Sequence, residues 1–181
     1  MHLASALMAS ADTGGTLALH RSVCQSQRMA RPEDIPQPTR DAVVNLPCPA
    51  FDTTPFVAGP PLSQRRIAIL SSAALIRRGD APFAIGSGET RFIPADIAPN
   101  DLLLSHVSIN FDRAGWQRDI NVVFPIDRLR DLAAGGEIGG VAETHYTVMG
   151  STDPAAMEEA VNQIEGQLRQ ERIDSVLLSP V

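Results

Sequence analysis

His106 is the residue whose type and setting most readily allow chemistry: an imidazole inside the apolar run 102–109 (LLLSHVSI). Near neutral pH such a group can carry a proton or bind a carboxylate. Asp112 lies in the loop that follows, and a carboxylate beside an imidazole at a strand's carboxyl end is the pairing acid/base chemistry requires. Spacing alone does not establish the pair, because a lone histidine in an apolar strand is more often a satisfied core residue. Asp119 and Asn121 precede or open the next apolar run, and Asp127 and Arg128 open the helix after it. Capping, the helix dipole and surface pairing account for most charges so placed. His145 and Tyr146 read more readily as sheet-face positions than as site residues. Gly86 and Gly88 (AIGSGETRF) resemble a phosphate-binding turn only faintly, since no helix start follows them. Cys24 and Cys48 lack CxxC spacing and read as inert thiols. The sequence holds no Ser/His/Asp motif, metal-ligand cluster or nucleotide fingerprint.

The elements that must position His106 fall after residue 65. The apolar run at 67–70 has the texture of a strand buried on both faces, followed by a polar, Gly/Pro-containing loop (SSAALIRRGDAPF). Residues 102–109 read as a second strand and 120–124 (INVVF) as a third. Pro125 suits the first turn of a helix with Ile126, Leu129, Leu132 and Ala133 on one face, ended by Gly135–Gly136. A fourth strand is expected over 141–148, with Met149–Gly150–Ser151 as the turn. The clearest element is a helix over 154–172, with Asp153 as N-cap, Pro154 at its first position and an apolar stripe of Met157, Ala160, Val161, Ile164 and Leu168. Residues 175–181 (SVLLSPV) begin another buried strand. This alternation predicts an α/β domain over 65–181, with a Rossmann-like, mostly parallel sheet that is C-terminally incomplete. Chemistry in such sheets gathers at the carboxyl ends of the strands. Residues 1–64, punctuated by prolines that block helices and ladders, are expected to be extended, partly disordered or wrapped on a partner.

Composition narrows the function classes. The 181 residues are 44% hydrophobic and 20% charged, with a net charge of −6. Together with one Trp and one Tyr, that balance argues against a nucleic-acid groove or a polybasic membrane anchor. All 15 basic residues are Arg, so lysine Schiff-base chemistry and Walker-type phosphate loops are excluded. No apolar run is long enough to span a bilayer, and the opening segment lacks the basic start of a signal peptide. The cytoplasm is the expected compartment.

From Arg66 onward the order of segments resembles a known family. RIAILSSAALIRRGDAPF is followed by RFIPADIAPNDLLLSH, by RDINVVFPIDRLRDLAAGGEIGGVAETHYTVMG, and then by the long helix and DSVLLSPV. This is similar to the selenoprotein-B-type subunits of the glycine, sarcosine, betaine and D-proline reductases, more so to the D-proline-reductase-like branch. RFIPAD, Ser105–His106 and NVVFPIDRLRDL are the most specific pieces, and the likeness covers roughly two-thirds of the chain. The resemblance implies reductive C–N bond cleavage on a small amino acid or amine, with a selenocysteine or cysteine nucleophile reset by a dithiol donor. It also implies a partner subunit, pyruvoyl-bearing in characterised relatives. By matched position it makes His106, Asp112, Asn121, Met149 and Gly150 the residues that line the site. Within the chain itself no cofactor or metal is expected.

The family pattern places the reactive residue after the strand that ends this sequence, where no cysteine follows Cys48. The expectation is therefore a polypeptide read as ending at a UGA codon, and so inactive as written. Its alternatives are a short paralogue serving interaction or regulation, and an unrelated α/β enzyme acting on a small carboxylate through His106.

Overall fold

Arg66–Ser71 (RIAILS) form β1, whose uninterrupted apolar run is buried on both faces. It pairs in parallel with Ser175–Ser179 (β7) on one side, and with Gly140–Val141 (β5) and Thr144–Val148 (β6) on the other. Thr90–Pro94 (β3) adds to β6 antiparallel, which makes the five-stranded sheet mixed. Leu75–Arg77 (β2) and Leu102–Leu104 (β4) form a separate antiparallel pair. The computed structural model describes residues 32–45, 52, 57–108 and 113–181. The chain divides into two compact units, Met1–Cys48 and Pro49–Val181, the second holding both sheets.

Alternation along β1 sends its side chains into two layers. Ile67 and Ile69 pack with Phe124 and with Ile126 and Leu129 of α3 (Ile126–Ala134). Ala68 turns the other way, to Tyr146 and to Ile164 of α4 (Glu158–Gln170). The class is α/β, with helices on both faces of the central strands. Complete burial of Ile69 contributes about 1.5–3 kcal/mol on transfer terms. β6, α4 and β7 form a crossover unit that passes over β1, so β7 arrives on the far side of β1 from β6.

The long helix begins as the sequence implies: Asp153 accepts a hydrogen bond from Ala155 N–H at 2.9 Å, and Pro154 leads a 3-10 turn into α4. Within the apolar stripe, Ala160 and Ile164 are buried, whereas Val161 lies on the exposed flank. Strand 141–148 is present but broken. Ile67 faces Val141 while Leu70 faces Tyr146, so three steps along β1 match five along its neighbour. The two extra residues bulge out, and Glu171 takes the Glu143 and Thr144 amides at 3.0 and 3.3 Å.

Five expectations are corrected. Residues 120–124 are not a strand: Asp119 accepts from Asn121 N–H at 2.9 Å and winds Ile120–Val122 into a 3-10 turn, leaving Val123 and Phe124 buried beneath it. The loop after β1 is not polar throughout, for Ala73–Ile76 are buried and lead into β2. Of 102–109, the strand is Leu102–Leu104; Ser105 N–H keeps its register to Ala74 C=O at 3.0 Å, and the ladder ends there because Ala74 N–H turns to Val148 C=O. The final strand is not buried, since Leu177 and Leu178 are exposed. In the first unit the prolines do not exclude a helix. Gln37–Val44 form α1, with Pro38 in the first turn, where no amide donor is needed. α2 (Ala114–Arg118) is a single short turn ahead of Asp119.

Candidate functional site

The carboxyl ends of three parallel strands, β6, β1 and β7, converge on a serine-rich seam. Ser71 at the end of β1 is fully buried and its hydroxyl donates to Val123 C=O at 2.7 Å, while accepting from Ala73 N–H at 3.2 Å. Ser179 at the end of β7 donates to the same carbonyl at 3.0 Å. Ser72 C=O accepts from Gly150 N–H at 3.0 Å, and its hydroxyl accepts from Val181 N–H at 2.8 Å. The ends of β1 and β7 are thus tied to the residues that lead into α3, and the end of β6 is tied to Ser72.

Gly150 is required by that crossing. A Cβ on it would lie 2.8 Å from Ser72 O and 2.9 Å from Ser72 Cβ, so any larger residue would force the β1 and β6 ends apart. Met149 beside it is fully buried, packed with Ala74, Ile76 and Phe83. The chain leaves β1 through Ala74, which adopts a left-handed conformation (φ 52°) that costs a non-glycine residue about 1 kcal/mol. Ala74 N–H donates to Val148 C=O and its carbonyl accepts from Ser105, both at 3.0 Å, so this one residue connects the strand ends to the His106 segment. Nothing in the sequence marks Ala74, where a glycine would have been a signal.

His106 is 6% exposed. Its Nδ1 accepts from Ser108 N–H at 3.1 Å, and Arg113 donates from Nη2 to both His106 C=O and Ser108 C=O at 3.0 Å. Burial, and then the Arg113 charge, hold its pKa below the ordinary value. The adjacent Val107 packs against the cluster containing Met149 and Ala74, which brings the His106 segment to the end of β6. Asp112 lies outside the described residues.

Asn121 serves a different arrangement. Its amide donates to Asp119 Oδ1 at 2.8 Å and Asp127 Oδ2 at 3.0 Å, and its Oδ1 accepts from Asp127 N–H at 3.0 Å. These bonds hold both carboxyls below the usual range and clamp the start of α3, so the Asn121 side chain is engaged as a cap. Gly88 packs on the turn before α4: a Cβ there would sit 1.9 Å from Ala156 O, which accounts for this glycine without a phosphate.

His145 and Tyr146 are both fully buried and face opposite layers. The bulge leaves Ile69 N–H without a ladder partner, and His145 Nδ1 accepts it at 3.0 Å. Burial pulls the His145 pKa down to about 4 and pushes Tyr146 up to about 12. The role of His145 is therefore to repair the sheet. A groove of about 340 Å³ runs along β3, but its cations are already paired, Arg77 with Asp80 at 3.3 Å and Arg91 with Glu89 at 2.6 Å. Among the described residues no helix is long and apolar enough to cross a membrane, and no group of three or more His, Cys, Asp or Glu could hold a metal ion.

Comparison with known proteins gives this seam a family. The model of the glycine/sarcosine/betaine reductase selenoprotein B family matches residues 39–181. The D-proline reductase subunit gamma of Acetoanaerobium sticklandii is 33% identical over 121 residues, covering 65% of this chain and 49% of that protein. The glycine reductase complex component B subunit gamma of Carboxydothermus hydrogenoformans is 29% identical over 140 residues, covering 74% of this chain and 32% of that protein. The betaine reductase complex component B subunit beta of Peptoclostridium acidaminophilum is 27% identical over 140 residues, with the same coverage of each chain. The chain thus spans about half, or about a third, of the length of these relatives. No solved structure gives a significant match. The family match takes in the whole sheet, the His106 segment and the serine seam, and the chain belongs to the glycine/sarcosine/betaine reductase selenoprotein B family.

Proposed function

We propose that this chain forms the scaffold of a subunit that reductively cleaves the C–N bond of a small amino acid or amine, at the carboxyl ends of β1, β6 and β7. The observation that carries the reading is the family match over residues 39–181, a span that includes each of the strand ends and His106. The relatives are named for D-proline, glycine, betaine and sarcosine, and several as components of reductase complexes. A substrate of that class and a partner subunit, pyruvoyl-bearing or otherwise, follow for this chain. The Rossmann-like relation of sheet to ligand belongs to the same proposal: substrate sits beyond the strand ends, as in other open α/β sheets.

The cysteines of the chain are Cys24 and Cys48, both ahead of this sheet. The proposal takes the selenocysteine or cysteine nucleophile from polypeptide outside these 181 residues, following Val181. Such a residue attacks the carbon of the C–N bond as a selenolate or thiolate, forming a C–Se or C–S bond as the protonated amine leaves; a dithiol donor then breaks that bond, releasing the reduced carbon product and itself becoming a disulfide. The residues of this chain hold and orient: His106 faces the substrate, Met149 and Gly150 form the wall beside it, and Asp112 is its carboxylate partner. Asn121 acts at one remove, through the start of α3.

The test is turnover of D-proline, glycine, sarcosine and betaine by the assembled complex with a dithiol donor. His106→Ala should lower kcat/KM about 100-fold or more while leaving thermal unfolding nearly unchanged. Near-normal turnover would remove His106 from the site. The nucleophile's origin has its own test, reading the coding DNA past the Val181 codon. TGA followed by an in-frame segment with a Cys-His pair is expected, and any other stop would discard that part.

A further inference from the structure

We infer that β7 is the docking edge for the polypeptide that follows Val181, whose next helix covers Leu178 on the α4 side of the sheet and whose next strand pairs in parallel along the outer edge of β7. The inference rests on the reading that the nucleophile follows Val181. It assigns a fold to the segment that would carry it.

β7 is open on three sides. Its register with β1 sets Leu177 opposite Ile69 and Leu178 opposite Leu70. Ile69 belongs to the α3 layer and Leu70 to the α4 layer, so the two leucines point to opposite faces, and they are 39% and 61% exposed. The third side is the edge. Asp174 N–H reaches Arg66 C=O at 3.1 Å, and alternation from there turns the Leu177 N–H and C=O away from β1. Among the described residues no strand meets them.

The occupant has to cover a face and an edge together. A second copy paired strand to strand across a two-fold axis would satisfy the edge but lay nothing over either leucine. A crossover unit does both, because its helix packs on the sheet while its strand adds beside the last one. Direction then fixes the face. From β6 the chain passes over β1 to reach β7, with α4 on the face of Ala68 and Tyr146. Crossovers in one sheet share a hand, so a further parallel step in the same direction puts its helix on that same face. That is the face of Leu178, the more exposed of the pair. Relatives have the length for such a step: the shared span is 49% of the D-proline reductase subunit gamma, and a crossover connection needs only about a dozen residues. The step departs from the seam, where Ser72 Oγ takes Val181 N–H at 2.8 Å.

One substitution in two lengths of chain tests this: the 181 residues, and the polypeptide translated past the Val181 codon with cysteine at the read-through position. Leu178→Ala should move the melting temperature of the shorter chain by no more than about 2 °C and lower that of the longer by about 5–15 °C, the scale of a buried leucine. The Leu177 amide should exchange freely in the shorter chain and about 100-fold more slowly in the longer. Small, equal effects of Leu178→Ala and an unprotected Leu177 amide in both lengths would overturn the inference, while leaving the nucleophile's origin standing. A dimer of the longer polypeptide that Leu177→Lys dissolves would give the edge to a second copy and overturn it as well. A stop other than TGA after the Val181 codon would retire that origin, and the inference with it.

Discussion

β1 and β7 lie side by side, parallel and alike in sequence, RIAILS against SVLLS, yet they live in different environments. Ile69 is fully buried; Leu177, its ladder partner, is 39% exposed, and Leu178 beside Leu70 is 61% exposed. β1 has strands on both sides and α3 and α4 over its faces, whereas among the described residues β7 pairs with β1 alone. Apolar texture therefore reports that a segment suits a strand. Whether the strand is buried depends on its neighbours, which lie elsewhere in the chain. β7 also lacks the charges that commonly guard an edge, while β3 at the opposite edge carries Arg91, paired with Glu89, and ends at Pro94.

The contrast is sharpest in the core. Ile69→Ala should cost about 2–5 kcal/mol in chemical denaturation, through lost burial and the cavity left between α3 and the sheet. A cost below about 1 kcal/mol would mean that β1 is not the centre of the fold.

Acid should act on the same strand through His145. Protonating its Nδ1 removes the acceptor for Ile69 N–H. An unfolded histidine ionises near 6.5 and the buried one near about 4, so the contribution is complete above 6.5 and lost as pH falls through that window. The loss approaches about 3 kcal/mol by pH 4, and denaturation midpoints measured across the window would show it. A flat profile would place the His145 proton elsewhere.

The approach to β7 gives a smaller effect. Arg172 follows α4 in the left-handed region (φ 55°), with Ile173 N–H bonded to Leu168 C=O and Arg172 N–H to Arg169 C=O. This closing pattern usually carries glycine, so Arg172→Gly should raise stability by about 0.5–1 kcal/mol, read as a higher melting temperature. Least of all, Leu178→Ala should change stability by no more than about 0.5 kcal/mol, and a large loss would show that β7 is covered in solution.

Much of this architecture was legible in the sequence where local signals agree with the tertiary role. Asp153–Pro154 and the spacing of Ala160 and Ile164 mark α4, and the run at 67–70 marks β1. The remainder depends on distant partners. The run at 120–124 is as apolar as a strand, but Asp119 turns it into a 3-10 helix; β2 and β3 are short pieces whose pairing comes from β4 and β6. Of the residues proposed for the site, His106 was distinguished by an imidazole in an apolar run and Gly150 by its place in a turn. Ala74 and the serine seam carry no such mark, because alanine and serine are common and their roles arise from a backbone angle and from a carbonyl far along the chain.

That carbonyl, on Val123, has two lone pairs and receives two hydroxyl hydrogens, from Ser71 and Ser179. Its capacity is spent. A water or ligand arriving at the strand ends would have to displace one strand's serine to use it, so the acceptor is withdrawn from competition. The Ser72 hydroxyl, by contrast, accepts from Val181 N–H. Two strand ends thus share a single oxygen, and parting β1 from β7 would leave it short of one hydroxyl.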